Sequence, residues 1–470
     1  MSQAKAKPKS EVNIPKYLGA IAIGVAIALI PPPAGLTSQS MQFLGIFIGM
    51  IAGMLMNAAQ MWVMTNTAAL FTVTLGLASF KEVYAEFAGT TIWMVLSVVA
   101  FAGCLSGSGL MKRIAFTVLK IFPPSFTGQA LAILTASTAI GPLIPSSTAK
   151  LAVMAPFTAQ IAAETGLAPH SRGLKGLFFV MFTAAFIAAP IFLTGSNITF
   201  IMLGMIPSEV AAPFTWMYWF QGAAVWGIVT LALTAIYTVI FLKPETPISM
   251  SKDFISEKIA EMGPMSANEK TGLITLVFAM VMWITVEMHG INATVVSWVA
   301  LLVMHFTGQF GSRDVAKMPW ALCLMFGPMM GVVALMRPLG VSDWIASMLG
   351  GVSALIPNAF VFIIVTTLLT WVMRLVIDQI SILAIAVAIF GPIAASLGIN
   401  MWIVIFLAWV NAQQWVLPHN NISIFQTLGM MGGDDVLAYK DVQSLTFVHM
   451  AISLVASLAS VPMWKIMGLM

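Results

Sequence analysis

The fold is decided by the stretch GPLIPSSTAKLAVMAP, residues 141–156, which lies where an unbroken spanning helix would be expected. Its first ten residues contain two prolines, three consecutive hydroxyl side chains and a lysine: Pro142, Pro145, Ser146, Ser147, Thr148 and Lys150. Broken backbone at membrane depth is tolerated only where protein or a water-filled cavity surrounds it, and a lysine there is costly and usually functional. A helix beginning just after Pro145 would direct its free N–H groups at an anion. The alternative is a proline-kinked helix whose Lys150 side chain reaches one membrane surface.

The composition is that of a membrane protein. Of 470 residues, 60% are hydrophobic and 8% are charged, whereas soluble domains carry about 25% charged residues. Apolar runs of about 20 residues, long enough to span a bilayer, recur along the chain, and they predict an all-α polytopic fold. The net charge of +4 is spread over loops, without the basic and aromatic tracts of nucleic-acid-binding proteins. Cys104 and Cys323 give neither a disulfide framework nor metal-ligand spacing.

One hydrophilic linker divides the chain. Residues 243–271 carry mixed charges and separate two apolar halves, 17–242 and 272–470. We expect the linker in the cytoplasm, with a short amphipathic helix around Phe254 to Met262. Residues 1–16 form a basic tail, which the positive-inside rule also places in the cytoplasm.

Each half contains two polar interruptions. In the first half, the apolar segment 130–140 is too short to span, which predicts a re-entrant hairpin with its tip near 141–150. Later in that half, GSNITF at 195–200 resembles HNNISI at 419–424 of the second half. The earlier break of the second half is RLVIDQIS, residues 374–381. Paired interruptions at corresponding positions predict a transporter binding site at the interface of two inverted repeats.

Two charged residues stand in the second-half break. Arg374 and Asp378 are four residues apart, so on a single helix they would face each other. One interpretation is that they neutralise each other, since buried charges are normally paired. The other is that Arg374 contacts a substrate carboxylate while Asp378 holds a cation or tunes the arginine.

Several enzyme and pump motifs are missing from the sequence. It contains no P-loop, no G-x-S-x-G and no H-E-x-x-H. This argues against an ATP-driven pump and against an intramembrane serine or zinc hydrolase, and we expect no enzyme activity and no cofactor.

Several stretches together resemble the divalent anion:sodium symporter family, and most closely its exchanger-like branch of dicarboxylate and tricarboxylate transporters, which includes 2-oxoglutarate/malate translocators. The similarity covers nearly the whole chain, and the order and spacing of the motifs carry it. PSSTAK resembles the family's P-S-N-T-A-R hairpin-tip motif. The stretches that carry the resemblance are TIW at 91–93, GLMKRIA at 109–115, PSSTAK at 145–150, MGPMS at 262–266, GINAT at 290–294, and Leu417-Pro418 with Asn421 and Gly429.

The resemblance implies a fold of about eleven spanning helices with two re-entrant hairpins in an inverted repeat. It also implies a homodimer in which a transport domain moves like an elevator against a scaffold. By match, Ser146, Ser147 and Thr148 would bind the substrate carboxylate, Gly195 and Asn197 would close that site, and Asn421 would serve a second. If transport is coupled to Na⁺, the resemblance implies Ser146, Ser147, Gly195 and Asp378 as ion ligands.

The chain departs from the family pattern at three positions. Ser147 stands where the family has asparagine, and it lacks the two donors of an amide. Asp378 and Gln379 stand where a second Ser-Asn-Thr motif is expected. Lys150 resembles the basic residue of the exchanger-like branch, where a fixed positive charge replaces a bound cation. Exchange without Na⁺ is therefore one hypothesis, while Asp378 leaves Na⁺ or H⁺ coupling open.

We therefore predict a secondary active transporter in a prokaryotic inner membrane, a multi-pass homodimer with a cytoplasmic N-terminus. Its substrate would be a small organic dianion such as succinate, malate, fumarate, tartrate or 2-oxoglutarate, or else citrate. Ser146, Ser147, Thr148, Lys150, Asn197, Arg374 and Asn421 are the predicted substrate-binding residues. The alternatives are a cation/proton antiporter that uses Asp378, and a transporter of an inorganic divalent anion such as sulfate.

Overall fold

The computed structural model of the chain describes residues 12–244, 254–341, 343, 344, 347 and 356–470. These residues form helices and connecting loops, and no strand occurs among them. Most of the predicted tail and residues 245–253 of the predicted linker lie outside the described residues.

Twelve α-helices precede the linker. They are α1 Ile14–Ala28, α2 Ser38–Leu55, α3 Met61–Thr74, α4 Phe80–Val83, α5 Thr90–Gly107, α6 Leu110–Leu119, α7 Phe126–Ala139, α8 Ser147–Glu164, α9 Arg172–Phe182, α10 Asn197–Gly204, α11 Ser208–Ala211 and α12 Trp216–Phe241. Short 3₁₀ segments and one π-turn complete this half: Ala85–Ala88, Gly141–Leu143, Thr183–Ile187, Ala189–Ile191 and Leu193–Gly195.

The described helices from the linker onward continue the numbering. They are α13 Phe254–Glu261, α14 Ala267–Ile284, α15 Val286–His289, α16 Ala293–Phe306, α17 Ser312–Val315, α18 Trp320–Ala334, α19 Ala359–Arg374, α20 Gln379–Ser396, α21 Met401–Asn411, α22 Ile422–Met430, α23 Tyr439–Val442, α24 Leu445–Ala459 and α25 Val461–Ile466. The amphipathic helix predicted near Phe254 to Met262 is present as α13.

The helices include several membrane spans. By length and composition, six helical segments of the described chain could cross a bilayer, or seven if the pair α5 and α6, bent by 69°, is one span. Five shorter apolar helices add to them. The protein is therefore an all-α, multi-pass membrane protein, as the composition predicts.

The first arm of the first hairpin is longer than predicted. Ser125 caps α7 by accepting a hydrogen bond from the backbone N–H of Gly128, so the helix begins at Phe126 instead of near Ala130. Together with the 3₁₀ turn at Gly141–Leu143 it forms an apolar segment of 18 residues, which is long enough to cross. The arm therefore begins about four residues earlier than predicted, and α7 itself has 14 residues before the Gly-Pro break; the re-entrant course of the hairpin stays a prediction.

Each half contains one helical hairpin and one broken segment. Helices α7 and α8 are joined by residues 140–146 and contact each other, as do α19 and α20, joined by 375–378. The second arm of each hairpin contains one proline, Pro156 in α8 and Pro392 in α20. The broken segments are the loop 188–196 before α10, here called loop A, and the loop 412–421 before α22, here called loop B. The repeated order of hairpin and loop is that of a duplicated unit.

A buried aromatic cluster fixes loop A. Trp219, Trp402 and Phe406 lie in mutual ring contact and are fully buried. Trp219 Nε1 donates to the carbonyl of Pro190 in loop A at 2.8 Å. Aromatic pairs of this kind contribute about 0.5–1.5 kcal/mol each beyond their buried area, so the non-helical backbone of loop A rests on a rigid support.

Candidate functional site

The first hairpin tip is held by a helix cap and by loop A. Ser146 caps α8, and its side chain accepts from the backbone N–H of Ala149 at 3.2 Å. Thr194 of loop A donates its hydroxyl to the carbonyl of Pro142 at 2.7 Å. The side chains of Ser147, half-buried, and Thr148, exposed, begin α8. The N-terminus of α8, with its positive dipole end, therefore lies beside loop A.

Lys150 joins the tip to loop A. Its side chain is 0% exposed, and Nζ donates to the carbonyl oxygen of Gly195 at 2.6 Å. Among the described residues, the ion pairs do not include Lys150. Burial without a carboxylate partner is the arrangement that a snorkelling lysine avoids. The Lys150 amine is therefore enclosed within the protein, one hydrogen bond away from a second broken segment.

A second helix begins at the end of loop A. Ser196 caps α10 and accepts from the backbone N–H of Ile198 at 3.2 Å. Asn197, a predicted site residue, is the first residue of α10 and its side chain is exposed. We did not select Ser196 or Thr194 from the sequence, although both lie in the polar break that follows the apolar segment. The helix starts of α8 and α10 and the Lys150 ammonium are brought together here, in what we call cluster A.

The second hairpin tip is organised differently. Arg374, 5% exposed, ends α19 and donates Nε to the carbonyl of Ala412 at 3.0 Å and Nη1 to the carbonyl of Ile377 at 2.8 Å. Asp378 caps α20, and its Oδ1 accepts from the backbone N–H groups of Ile380 and Ser381, each at 3.0 Å. We call this tip, with loop B, cluster B.

The prediction that Arg374 and Asp378 face each other on one helix was wrong. Helix α19 ends at Arg374 and α20 begins after Asp378, so the two residues flank a break. They do not form an ion pair within 4.0 Å among the described residues. The physical reason is that backbone groups engage both: carbonyls accept from the guanidinium, and helix N–H groups donate to the carboxylate.

Amide side chains connect the second tip to loop B; Gln379 is half-buried, and Gln413, Asn420 and Asn421 are buried. Gln379 Nε2 donates to the carbonyl of Ala412 at 3.1 Å and to Oε1 of Gln413 at 3.3 Å. Asn420 Nδ2 donates to the carbonyl of Arg374 at 2.8 Å. Asn421 caps α22, accepting from the backbone N–H of Ser423 at 3.2 Å. The sequence analysis missed the roles of Gln379, Gln413 and Asn420.

The two clusters are in contact through their helices. Helix α8 packs against α22, and the ring of Phe182 lies 5.5 Å from the ring of Trp415 in loop B. The N-termini of four helices, α8, α10, α20 and α22, are therefore placed at the two breaks. Such ends attract anions. Together with the charges of Lys150, Arg374 and Asp378, this arrangement has one net positive charge.

Comparison with known proteins identifies the family. Residues 11–468 match the family described as the sodium:sulfate symporter transmembrane region. The chain belongs to this family of divalent anion:sodium symporters. The resemblance inferred from the hairpin-tip motif is therefore confirmed.

Curated relatives of the chain include transporters from plants and bacteria. Dicarboxylate transporter 2, chloroplastic, of Spinacia oleracea is 25% identical over 355 residues, covering 72% of this chain and 62% of that protein. Dicarboxylate transporter 2.2, chloroplastic, of Arabidopsis thaliana is 27% identical over 73% of this chain and 65% of its own length. The inner membrane protein YbhI of Escherichia coli (strain K12) is 24% identical over 70% of this chain and 72% of its own length. The chain thus spans slightly less than two thirds of the two plant proteins.

Two solved structures share the architecture. The YdaH transporter of Alcanivorax borkumensis aligns with a TM-score of 0.55 at 15% identity, over 92% of this chain and 98% of that chain. MtrF of Neisseria gonorrhoeae, described as illuminating a class of antimetabolite efflux pumps, aligns with a TM-score of 0.56 at 14% identity, over 94% and 97%. At these identities the likeness concerns the fold alone. It agrees with an all-helical membrane transporter fold.

Proposed function

We propose that the protein is a secondary active transporter that exchanges small organic dianions, namely C4-dicarboxylates, 2-oxoglutarate, tartrate or citrate. Membership of the divalent anion:sodium symporter family and the names of the plant dicarboxylate transporters support an anionic substrate. The excess positive charge and the four helix N-termini at the two breaks support the same class of ligand.

The observation that carries exchange is the hydrogen bond from Lys150 to Gly195. A Na⁺ ion at the first tip would need oxygen ligands, and the family resemblance implies Gly195 as one of them. In the structure Lys150 Nζ donates to that carbonyl at 2.6 Å. A protonated Lys150 would therefore place its positive charge where a coupling cation would bind. One of the two negative charges of the substrate dianion could then be balanced at this tip without a co-transported cation.

A fixed charge also explains why the carrier would need a substrate for each crossing. Moving a cluster with an unbalanced buried charge through the low-dielectric core is costly. One carboxylate of a bound dianion would pair with Lys150, whereas in the empty carrier this side chain has no carboxylate partner among the described residues. A carrier that crosses the membrane only while Lys150 is paired with a substrate carboxylate would be an obligatory exchanger.

Two alternatives fit the site less well. In a cation/proton antiporter, Asp378 would bind the ion, but its Oδ1 already accepts two backbone N–H groups that keep the carboxylate in place. A sulfate transporter would use the same positive charge. The names of the plant relatives, which are dicarboxylate transporters, favour an organic dianion over sulfate.

We further propose the cell context that the relatives support. The protein is multi-pass, and similarity to an inner membrane protein of Escherichia coli supports a bacterial inner-membrane location. We place the N-terminus in the cytoplasm because basic segments concentrate on that side. A homodimer with an elevator-like transport domain stays our proposal for its assembly and movement, with Na⁺ or H⁺ coupling as the competing mode.

The deciding experiment is uptake of labelled succinate by proteoliposomes containing the purified protein. One arm has internal unlabelled dicarboxylate and no Na⁺, and the other has an inward Na⁺ gradient and no internal anion. Exchange predicts uptake in the first arm alone. Uptake that needs only Na⁺ would make the protein a symporter. Silence in both arms, with uptake of sulfate or a response to a proton gradient, would favour the alternatives.

A further inference from the structure

A cavity of about 510 Å³ lies away from clusters A and B, between helices α6, α8 and the linker helix α13. Its charged lining residues are Lys112 on α6 and Lys258 and Glu261 on α13. Residues of α8 from Ala152 to Gln160 form another wall, past the turn that carries Lys150. The cavity therefore connects the linker to the second arm of the first hairpin.

One of the two lysines has no carboxylate partner. Lys258 Nζ pairs with Glu261 at 2.8 Å, but the ion pairs of the described residues do not include Lys112. Lys112 Nζ instead lies 5.9 Å and 6.0 Å from the ring centroids of Phe116 and Phe157, which also line the cavity. The lining carries one net positive charge, the complement of a single phosphodiester.

The neighbouring Arg113, unlike Lys112, has a carboxylate partner. Arg113 Nε pairs with Glu269 at 2.7 Å, and its Nη1 donates to the carbonyl of Gly263 at 3.0 Å. That side chain fastens α6 to the linker and does not line the cavity. Arg113 therefore stabilises the contact between α6 and the linker, whereas the charge of the adjacent Lys112 is available to a ligand.

The position of the cavity matches the depth of lipid headgroups. Helix α5 has 18 residues, or about 27 Å at 1.5 Å per residue, and the hydrocarbon core is about 30 Å thick. The chain then bends by 69° into α6. Helix α6 is amphipathic, with Met111, Ala115 and Phe116 buried and Lys112 and Thr117 exposed. Such helices lie in the membrane interface and attract anionic lipids.

We propose that this cavity is a binding site for the phosphate group of an anionic phospholipid, held by Lys112 and Lys258. Gln160 of α8 also lines the site and can donate a hydrogen bond from its amide. A lipid phosphate bound there would connect α13 to α8 and thereby link the linker to the first hairpin. This site is separate from the substrate site, so the lipid proposal can be right or wrong whether or not the proposed transport mode is correct.

The test measures lipid retention by native mass spectrometry of the full-length protein, delipidated in detergent and titrated with phosphatidylglycerol. The variants are Lys112→Gln, Lys258→Gln and the matched control Lys120→Gln, which removes the same charge from the residue that follows α6, outside the cavity. A lysine near an anionic headgroup is worth about a fivefold change in affinity. We expect that loss in both cavity variants, and wild-type retention in the control.

Further titrations separate the source of the phosphate. Phosphatidylcholine, which is zwitterionic, should bind less tightly than phosphatidylglycerol, and inorganic phosphate at millimolar concentration should not displace the lipid. Displacement by inorganic phosphate would assign the site to a free anion and overturn the lipid. Equal losses in Lys112→Gln and Lys120→Gln, equal binding of both lipids, or wild-type retention in both cavity variants would overturn the site. Because the two lysines lie on different helices, a variant that fails to fold leaves the other informative.

Discussion

Clusters A and B share an architecture and differ in how their charges are used. In both, a capped helix follows a hairpin tip and a second capped helix follows a loop: Ser146 and Ser196 in cluster A, Asp378 and Asn421 in cluster B. Cluster A has one buried cation and no carboxylate. In cluster B, backbone groups engage both a cation and an anion. A basic side chain donates to backbone carbonyls at both tips, but at the second tip a carboxylate offsets its charge and at the first tip none does.

Among these variants, Lys150→Met should reduce the rate of succinate exchange most, because it removes the basic side chain of cluster A. Exchange of labelled succinate should fall about 10- to 100-fold, the range for losing a charged hydrogen bond. The free energy of unfolding should fall by no more than about 1–3 kcal/mol, because the Gly195 carbonyl loses its donor while the cost of burying the lysine is also removed. Uptake by proteoliposomes and a thermal melt of the same preparation give both values.

The exposed Lys120→Met is the matched control for this variant, since it removes a lysine from the surface. It should transport like wild type. If Lys150→Met also exchanges succinate at the wild-type rate, the charge of Lys150 does not offset the charge of the substrate. The difference in charge between clusters A and B would then have no effect on transport.

Arg374→Gln should act mainly on stability. It removes the donors to the carbonyls of Ala412 and Ile377. The Ala412 carbonyl keeps the amide donor of Gln379, so the Ile377 carbonyl is the group left without this donor, at a cost of about 1–3 kcal/mol. We expect a loss of about that size in unfolding free energy, measured in detergent by denaturant titration. Uptake should fall with the amount of folded protein, and the KM for succinate should stay unchanged.

The contrary outcome for Arg374→Gln is also informative. Normal folding with a raised KM would show that Arg374 contacts the substrate, as one interpretation of the sequence has it. Cluster B would then bind substrate as cluster A does, and the difference between the clusters would be one of degree.

A matched pair of helix-cap variants, one in each cluster, also compares clusters A and B, and we expect smaller changes in stability and KM from them. Ser196→Ala and Asn421→Ala each remove a side chain that accepts from a backbone N–H at 3.2 Å. Each should lower stability by about 1 kcal/mol, the usual loss for a helix cap. Only Ser196→Ala should also raise the KM for dianions, because it lies in the cluster with available charge. Parallel KM changes in both variants, measured by exchange at varied succinate concentration, would assign substrate binding to both loops.

The sequence predicted the fold class and the location of the breaks, and it failed where backbone geometry decides. Composition predicts the membrane class because few charges cannot support a soluble surface. Proline and hydroxyl runs locate both tips, and Lys150 is conspicuous in an apolar stretch. The spacing of Arg374 and Asp378 led to a wrong prediction. Pairing of residues i and i+4 requires a continuous helix, and the helix is interrupted between these two residues. Asn411, Gln413 and Gln414 within an apolar run were a signal that loop B is polar and buried.

The helix-capping residues also could not be predicted from the sequence. A serine or asparagine in a polar break can cap a helix, bind a ligand or do both, and sequence spacing does not distinguish these roles. Ser196 was passed over for its neighbour Asn197, whose side chain the structure places in an exposed position. The cap is defined by where the backbone leaves the extended conformation, and that depends on Trp219 and the packing under loop A.

The smallest effect should come from Asp378→Asn, which tests whether cluster B carries a coupling ion. Asparagine caps helices about as well as aspartate, so Ile380 and Ser381 keep an acceptor and the fold should be unaffected. Removing the negative charge leaves Arg374 bound to its two carbonyls, and we expect the succinate exchange rate to stay within about twofold, a few tenths of a kcal/mol. A cation/proton antiporter would instead lose all activity, because its ion-binding carboxylate is gone. Measuring exchange and proton-driven flux on one Asp378→Asn preparation therefore separates a carboxylate that holds backbone from one that carries an ion.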